Sequence, residues 1–363
     1  MRLTSRKAGK LQESSASRGF TPDSDSEFSE LDLALVDALQ SAPRASWTQL
    51  GRALDIDATT ASRRWERLRS EGLAWVTAYE RPDAATVAFV EVRCSPRQFD
   101  AVSHALTQLP WVISVEEMAG DFDLLLAVTA ADLHSLGRAV HGTVGGLRGV
   151  RSTQTRLGLT VFSEGGDWRT HAIPSVSRAL LPESGTTTRF TYSTHVHTRR
   201  TPHDQSLRAA LGNDGRMSYK DLGAAIGVSE YTARRRLLRM LREQKITLRC
   251  DLAHQLAGYR TVVLYRAAVP HQHLEHTGAA LARLDQVRLA ISVSGPHNLL
   301  VMAWLHDLNG ISPFETLLTE RFPHLQVHDR AIALHTPKRM GWLLDPDGRA
   351  RRYVPLALPE PTR

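Results

Sequence analysis

The sequence predicts an α+β protein written twice, each copy a winged-type helix-turn-helix unit followed by a βαββαβ ferredoxin-like domain. Three observations predict it. First, the chain repeats itself, and a repeat decides the architecture before any motif is read. A displacement of 172 residues pairs Asp32 with Asp204, Arg44 with Arg216, Leu50-Gly51 with Leu222-Gly223 and Arg63-Arg64 with Arg235-Arg236. A displacement of 175 pairs Phe99 with Leu274, Gly120 with Gly295 and Leu124-Leu125 with Leu299-Leu300. Second, the apolar period of each copy changes from helical in front to alternating behind. Third, short turn sequences, GDFD (120–123) and GPHN (295–298), separate the alternating runs.

The front of copy one reads as three helices. Leu31, Leu35, Ala38 and Leu39 keep helical spacing, WTQLGRAL (47–54) makes a second short helix, and DID (55–57) turns the chain into a third. Copy two repeats this as SLRAALGN, SYKDLGAAI and YTARRRLLRMLRE. A strand-like stretch follows each, AWVTAYE (74–80) and ITLRCDL (246–252).

The back of copy one runs strand TVAFVEV (86–92), a helix from Pro96 with Phe99, Val102, Leu106 and Leu109 on one face, strand WVISVEEM (111–118), the GDFD turn and strand LLLAV (124–128). A helix with Leu133, Leu136, Val140 and Val144 comes next, then strand STQTRLGLTVF (152–162). Copy two follows with TVVLYRAAV, the helix of Leu274, Leu281 and Leu284, VRLAISV, GPHN and LLVMAWL. It ends in a helix with Ile311, Phe314, Leu317 and Phe322, and VHDRAIAL. The connection rules make each back a split βαβ layer with helices on one sheet face.

The resulting division is a polar, disordered tail at 1–27, helix-turn-helix units at 28–75 and 202–248, ferredoxin-like domains at 82–162 and 258–336, a linker at 163–201 and a tail at 337–363. Inside the linker RFTYSTHV (189–196) alternates like an edge strand, and WLLDPDGRARRYVPL (342–356) reads as a hairpin around DPDG.

With 363 residues, 42% hydrophobic and 23% charged, the chain is globular and long enough for two to three domains. Its formal net charge of +7 fits a polyanionic partner. Cys94 and Cys250 alone build neither a disulfide framework nor a cysteine-rich zinc site. No run approaches a membrane span, and the first residues lack an apolar signal core, so a cytoplasmic protein is expected.

The third helices carry the functional signal. On a helical wheel Ala61, Trp65 and Leu68 form a buried stripe, while Thr59, Thr60, Arg63 and Arg67 face away from it. In copy two Ala233, Leu237 and Met240 are buried, with Thr232, Arg235, Arg239 and Arg242 outside. A basic helix alone is most often a solvated face. The third helix of a compact trihelical unit, mixing hydroxyls with guanidinium groups, instead suits the major groove of double-stranded DNA. The candidate DNA-binding residues are Thr59, Thr60, Ser62, Arg63, Arg64, Arg67, Tyr231, Thr232, Arg234, Arg235, Arg236 and Arg239, with Arg64 and Arg236 at the flank reaching phosphates.

SELDLALVDALQSAPRASWTQLGRALDIDATTASRRWERLRSEGL (29–73), followed by a βαββαβ domain with GDFDLLLAV, resembles the Lrp/AsnC family of transcription regulators. The resemblance implies a RAM-type effector and oligomerisation module behind each helix-turn-helix unit. It also implies a fused pseudo-dimer with two unequal recognition helices, at about 58–70 and 230–242, and a homo-oligomer formed through the ferredoxin-like domains. A small effector such as an amino acid is implied near the GDFD turn, with Gly120, Asp121 and Asp123 as candidates and Gly295, His297 and Asn298 in copy two. GDFD is equally a plain hairpin turn, and GPHN has lost both carboxylates. Siroheme decarboxylases look like the same two-domain design; their His-Tyr and Trp-Pro-Tyr-Asn-Leu stretches are not matched here, and GPHNLLVMAW is a faint echo. An architectural DNA-binding protein of low sequence preference is the third reading.

No cofactor, metal or catalytic residue is expected. HGTVGGLRG (141–149) lacks the Lys-Ser/Thr of a phosphate loop, and His271, His273 and His276 lack a fourth ligand, a solvated helix start being their ordinary account. No nucleophile, base and orienter cluster in the sequence.

Overall fold

The structure, a computed structural model, describes residues 27–80, 85–182, 190–191 and 202–359. The disordered tail expected at 1–27 lies almost wholly outside them.

Copy one opens with α1 (Glu30–Ser41), α2 (Trp47–Leu54) and α3 (Ala58–Ser70). Short polar side chains start each helix: Ser29 and Asp32 form a capping box, as do Ser46 and Gln49, and the Asp57 carboxylate accepts from the Thr60 N–H. The turn from α2 into α3 needs Gly51, since a Cβ there would stand 2.5 Å from the Ile56 carbonyl oxygen. Strands β1 (Ala74–Glu80) and β2 (Thr86–Cys94), helix α4 (Phe99–Thr107), strands β3 (Val112–Ala119) and β4 (Leu124–Ala130), helix α5 (Leu133–Arg138) and strand β5 (Val150–Ser163) follow. After β5 come α6 (Ser175–Ala179) and the two-residue β6 (Phe190–Thr191).

Copy two repeats the order with α7 (Pro202–Asn213), α8 (Tyr219–Ile226), α9 (Glu230–Arg242), β7 (Ile246–Leu252), β8 (Thr261–Ala268), α10 (His271–Leu281), β9 (Val287–Val293), β10 (Leu299–Leu305), α11 (Ile311–Arg321) and β11 (Gln326–Arg339). Its helix-turn-helix turn is equally tight at Gly223, where a Cβ would lie 2.7 Å from the Val228 carbonyl oxygen. The DPDG hairpin is present as β12 (Trp342–Leu344) and β13 (Ala350–Tyr353), added beside β11.

The two copies interlock at two levels. The strand after each third helix pairs with its counterpart in the other copy: β1 runs antiparallel to β7, with Thr77 opposite Arg249. Helix α1 packs on β7 and α7 on β1, so each helical unit rests on the other copy's strand. Below this ribbon β5 pairs with β2 and with β9, while β11 pairs with β8 and with β3. The eight strands therefore close into one ring, β2-β4-β3-β11-β8-β10-β9-β5, and closure leaves no open edge within it.

The helices cover the outer face of this ring, as the single-face expectation requires. Val102, Leu106, Leu136 and Val140 cover copy one, and Leu281, Leu284, Phe314 and Leu318 cover copy two. The inner faces of both halves meet in a shared core that includes Phe89, Leu125, Val161, Leu264 and Leu300. Across it a buried carboxylate, Glu91, sits between two arginines, 3.1 Å from Arg156 and 3.2 Å from Arg266. Glu91 and Arg266 are repeat-equivalent positions, so an acid faces a base where an exact duplication would oppose like charges.

The front of the linker placed at 163–201 is packed structure: Trp168 and Ile173 are buried against the first helical unit, and the buried Asp37 accepts from the Ile173 N–H (2.9 Å) and pairs with Arg178 (3.1 Å). A Ser/Thr/Pro-rich composition conceals this because only a few large apolar side chains anchor it. Within RFTYSTHV, Phe190 and Thr191 pair with β5 and the remainder lies outside the described residues.

Candidate nucleic-acid interface and ligand sites

Helices α3 and α9 present different outer faces. On α3, Ala61, Trp65 and Leu68 are buried, and Thr59 and Arg63 are exposed with Ser62 half-buried between them. Among the described residues no hydrogen bond or ion pair engages Arg63. Thr60 serves the helix cap: its hydroxyl and its N–H both donate to Asp57, and these bonds hold the Asp57 carboxyl below its ordinary range.

Arg64 and Arg67 have partners that the wheel does not show. Both reach back to α1, where the buried carboxylate of Asp32 takes Arg64 at 3.1 Å and Arg67 at 2.7 Å, and Arg67 also meets Glu71 at 3.0 Å. Both side chains stay more than a third exposed, so the two residues pair with Asp32 and still reach solvent. Asp32 is a tertiary partner that helical periodicity alone does not contain. Because Asp32 is nearly inaccessible, its two guanidinium partners are part of the packing of α3 on α1.

On α9, Ala233, Leu237 and Met240 are buried, while Tyr231, Arg234, Arg235 and Arg239 are exposed and Thr232 and Arg236 are half-buried. Tyr231 is 72% exposed, a large solvated aromatic at the start of the helix, with the Arg235 guanidinium 5.9 Å from its ring centre. No carboxylate engages Arg234, Arg235 or Arg239 in an ion pair among the described residues. The second unit thus carries more available positive charge than the first.

The two units are joined by a reciprocal clamp. Arg44 donates to the carbonyl oxygens of Gly215 (2.6 Å) and Met217 (3.0 Å), and Arg216 donates to those of Pro43 (2.7 Å) and Ala45 (2.9 Å). Each also stacks on the other unit, Arg216 at 4.0 Å over Trp47 and Arg44 at 5.0 Å over Tyr219. Burial and the nearby Arg44 draw Arg216 down to about 10.

At the GDFD turn both carboxylates are engaged. Asp121 accepts from Arg266 at 2.8 Å, its carbonyl oxygen accepts from Arg93 at 2.6 Å, and Asp123 accepts from the Cys94 N–H at 2.6 Å. Gly120 lies close to Ala331 of copy two, where a Cβ would come within 3.0 Å. In the GPHN turn Gly295 adopts φ +110°, and Asn298 bridges both the N–H and the C=O of Val269. His297 stacks on His328 with centroids 4.5 Å apart, and burial, with His328 beside it, lowers its pKa.

Sequence reasoning missed a second polar assembly, under the β1/β7 ribbon. Arg249 and Asp251 of β7, Glu116 of β3, Arg288 of β9 and Arg339 at the end of β11 are all buried there around Trp304. They lie on four strands from both copies. Their one sequence signal is an arginine set in an otherwise apolar strand, as in VRLAISV. Among the described residues no group of histidine, cysteine and carboxylate side chains is arranged to hold a metal, and no helix is long and apolar enough to cross a membrane.

The comparisons with known proteins agree with this architecture. Residues 87–167 match the Lrp/AsnC ligand binding domain, and residues 28–69 and 204–241 each match the AsnC-type helix-turn-helix domain. An uncharacterized HTH-type transcriptional regulator of Pyrococcus abyssi is 30% identical over 145 residues, which cover 37% of this chain and 95% of that protein. The proline dehydrogenase transcriptional activator of Rhizobium radiobacter is 29% identical over 147 residues, covering 39% of this chain and 94% of that protein. A solved siroheme decarboxylase in complex with an iron-uroporphyrin III analogue superposes with a TM-score of 0.57 over 86% of this chain and 93% of its own; at 12% identity the likeness is one of fold. With two matches to the AsnC-type helix-turn-helix domain, one to the Lrp/AsnC ligand binding domain, and a relative 30% identical along 95% of its own length, the chain belongs to the Lrp/AsnC family of transcriptional regulators.

Proposed function

We propose that the chain is a sequence-specific DNA-binding regulator in which one polypeptide does the work of a two-fold dimer. Helices α3 and α9 enter successive major-groove faces of duplex DNA about one helical turn apart. Thr59, Ser62 and Arg63 read one half-site, and Tyr231, Thr232, Arg234, Arg235 and Arg239 read the other, with Arg236 at the phosphate flank. The observation that carries this reading is the pair of solvent-facing basic helices on units that Arg44 and Arg216 hold in one relative orientation. Thr60, Arg64 and Arg67 also hold α3 in place, through Asp57 and Asp32. Unequal outer faces call for unequal half-sites.

A small effector, of which an amino acid is the family's example, modulates binding at the Gly120 and Gly295 turns. His297 and the main chain are the available groups there, since Asp121 and Asp123 already have partners. Further association of chains runs through the ferredoxin-like modules. The chain acts by binding and not by catalysis.

Gel-shift titration against the DNA upstream of its own coding region, beside random duplex, tests the reading. Preferential binding of the upstream region that weakens steeply with salt supports it, and equal binding of both duplexes favours an architectural protein. Anaerobic mixing with siroheme is the counter-test: a spectral shift and decarboxylated product would move the protein to the enzymes that share its fold.

A further inference from the structure

A cavity of about 450 Å³ lies between the barrel interior and the ribbon, and the polar assembly around Trp304 forms one of its walls. Cavities of a few hundred Å³ lined by apolar side chains with a few fixed polar groups are the usual form of a small-molecule site. Here Phe89, Leu125, Leu289 and Met302 supply the apolar surface, and Arg288 and Arg339 supply cationic ends.

The two arginines are unequally satisfied. The Arg288 guanidinium lies 3.8 Å from the centre of the Trp304 ring, and its Nη2 donates to Asp251 at 2.8 Å. Its Nη1 is buried and has no hydrogen-bond partner, although Arg288 is only 4% exposed. Arg339 lies 4.9 Å from the same ring and has only long contacts, 3.5 Å to the Leu252 carbonyl oxygen, 3.3 Å to His254 Nδ1 and 3.9 Å to the Asp251 carboxylate. Asp251 and Glu164 are already shared with Arg249. Burial lifts the third carboxyl, Glu116, to about 7. A buried guanidinium donor left without a partner is costly unless an acceptor such as an anion meets it.

We propose that this cavity binds an organic carboxylate with an apolar body, its carboxylate paired with Arg288 and Arg339 and its body lying along Phe89, Leu125, Leu289 and Met302. The wall also includes Gln205 and Arg208 of α7, so the bound acid touches the second DNA-reading unit. The site is separate from the GDFD and GPHN turns and does not depend on the DNA reading above.

Isothermal titration of the full chain with 2-naphthoate and decanoate, each beside its neutral amide, tests it. Saturable binding of at least one acid, at least tenfold tighter than its amide and weakened at least tenfold in Arg288→Met, supports the site. Circular dichroism melts confirm that the variant folds, and Leu125→Trp, which fills the apolar wall and leaves the arginines in place, should block binding as well. Absence of binding by both acids, or equal binding of acid and amide, or undiminished binding by folded Arg288→Met overturns it.

Discussion

Arg44 and Arg216 hold the same place in the two helix-turn-helix units, and each donates two hydrogen bonds to backbone carbonyls of the loop that carries the other. Removing either leaves two buried acceptors without a charged donor and exposes an aromatic face. Arg216→Ala should destabilise the chain by about 2 kcal/mol, the scale of hydrogen bonds to charged groups, read as a lower midpoint in urea. In DNA binding it should penalise a duplex with both half-sites more than a duplex with one, because the clamp fixes their separation.

Arginines that look alike on α3 should separate by experiment. Arg63→Ala and Arg235→Ala should weaken operator binding by about 1 to 3 kcal/mol where each reads a guanine, with unchanged melting temperature. Arg67→Ala should lower the melting temperature instead, since it strips a partner from the buried Asp32. Paired gel shifts and melts distinguish these outcomes.

Glu91 joins the copies through Arg156 and Arg266 at 3.1 and 3.2 Å. Loss of one member of a buried ionic group leaves the others uncompensated and costs about 3 to 5 kcal/mol. Glu91→Gln should therefore be among the most destabilising single-charge substitutions in the chain, measured by urea unfolding at neutral pH.

Two buried groups set opposite pH trends. Burial raises Glu116 from 4.5 to about 7 against the opposing influence of Arg339, the Thr336 hydroxyl, Arg288 and His335. The native state then holds more protons than the unfolded one between these values, and stability falls as pH rises through that window. Lys338, fully buried with its ammonium on the Leu109 carbonyl at 2.8 Å and Arg352 nearby, is lowered from 10.5 to about 7. Here the native state holds fewer protons above 7, and stability rises with pH toward 10.5. Melts across pH 5 to 10 should show each limb, with Glu116→Gln flattening the acid side and Lys338→Met the alkaline side.

The repeat made most of the architecture legible: Leu50-Gly51 against Leu222-Gly223 locates both helix-turn-helix turns, and the βαββαβ order of each back half follows from its periods. Helical spacing also separates Ala61, Trp65 and Leu68 from the exposed Arg63. It does not show that Arg67 pairs with Asp32, because that partner stands 35 residues earlier on another helix. The arginines beside Trp304 were illegible for a related reason. Alternation assigns a lone charged residue in a strand to solvent, but ring closure buries both faces of these strands, so Arg288 and Arg339 point into protein. Repetition encodes shape well, and encodes poorly the contacts made after the shape has closed.

Covalent fusion of the two halves has an evolutionary corollary. In an assembly of identical subunits every mutation is felt twice, once at each symmetry-related position. In this chain a change at residue 63 leaves residue 235 alone, and an acid can settle opposite a base at positions 91 and 266. Each half is free to drift on its own, so the outer faces of α3 and α9 can diverge where those of identical subunits cannot.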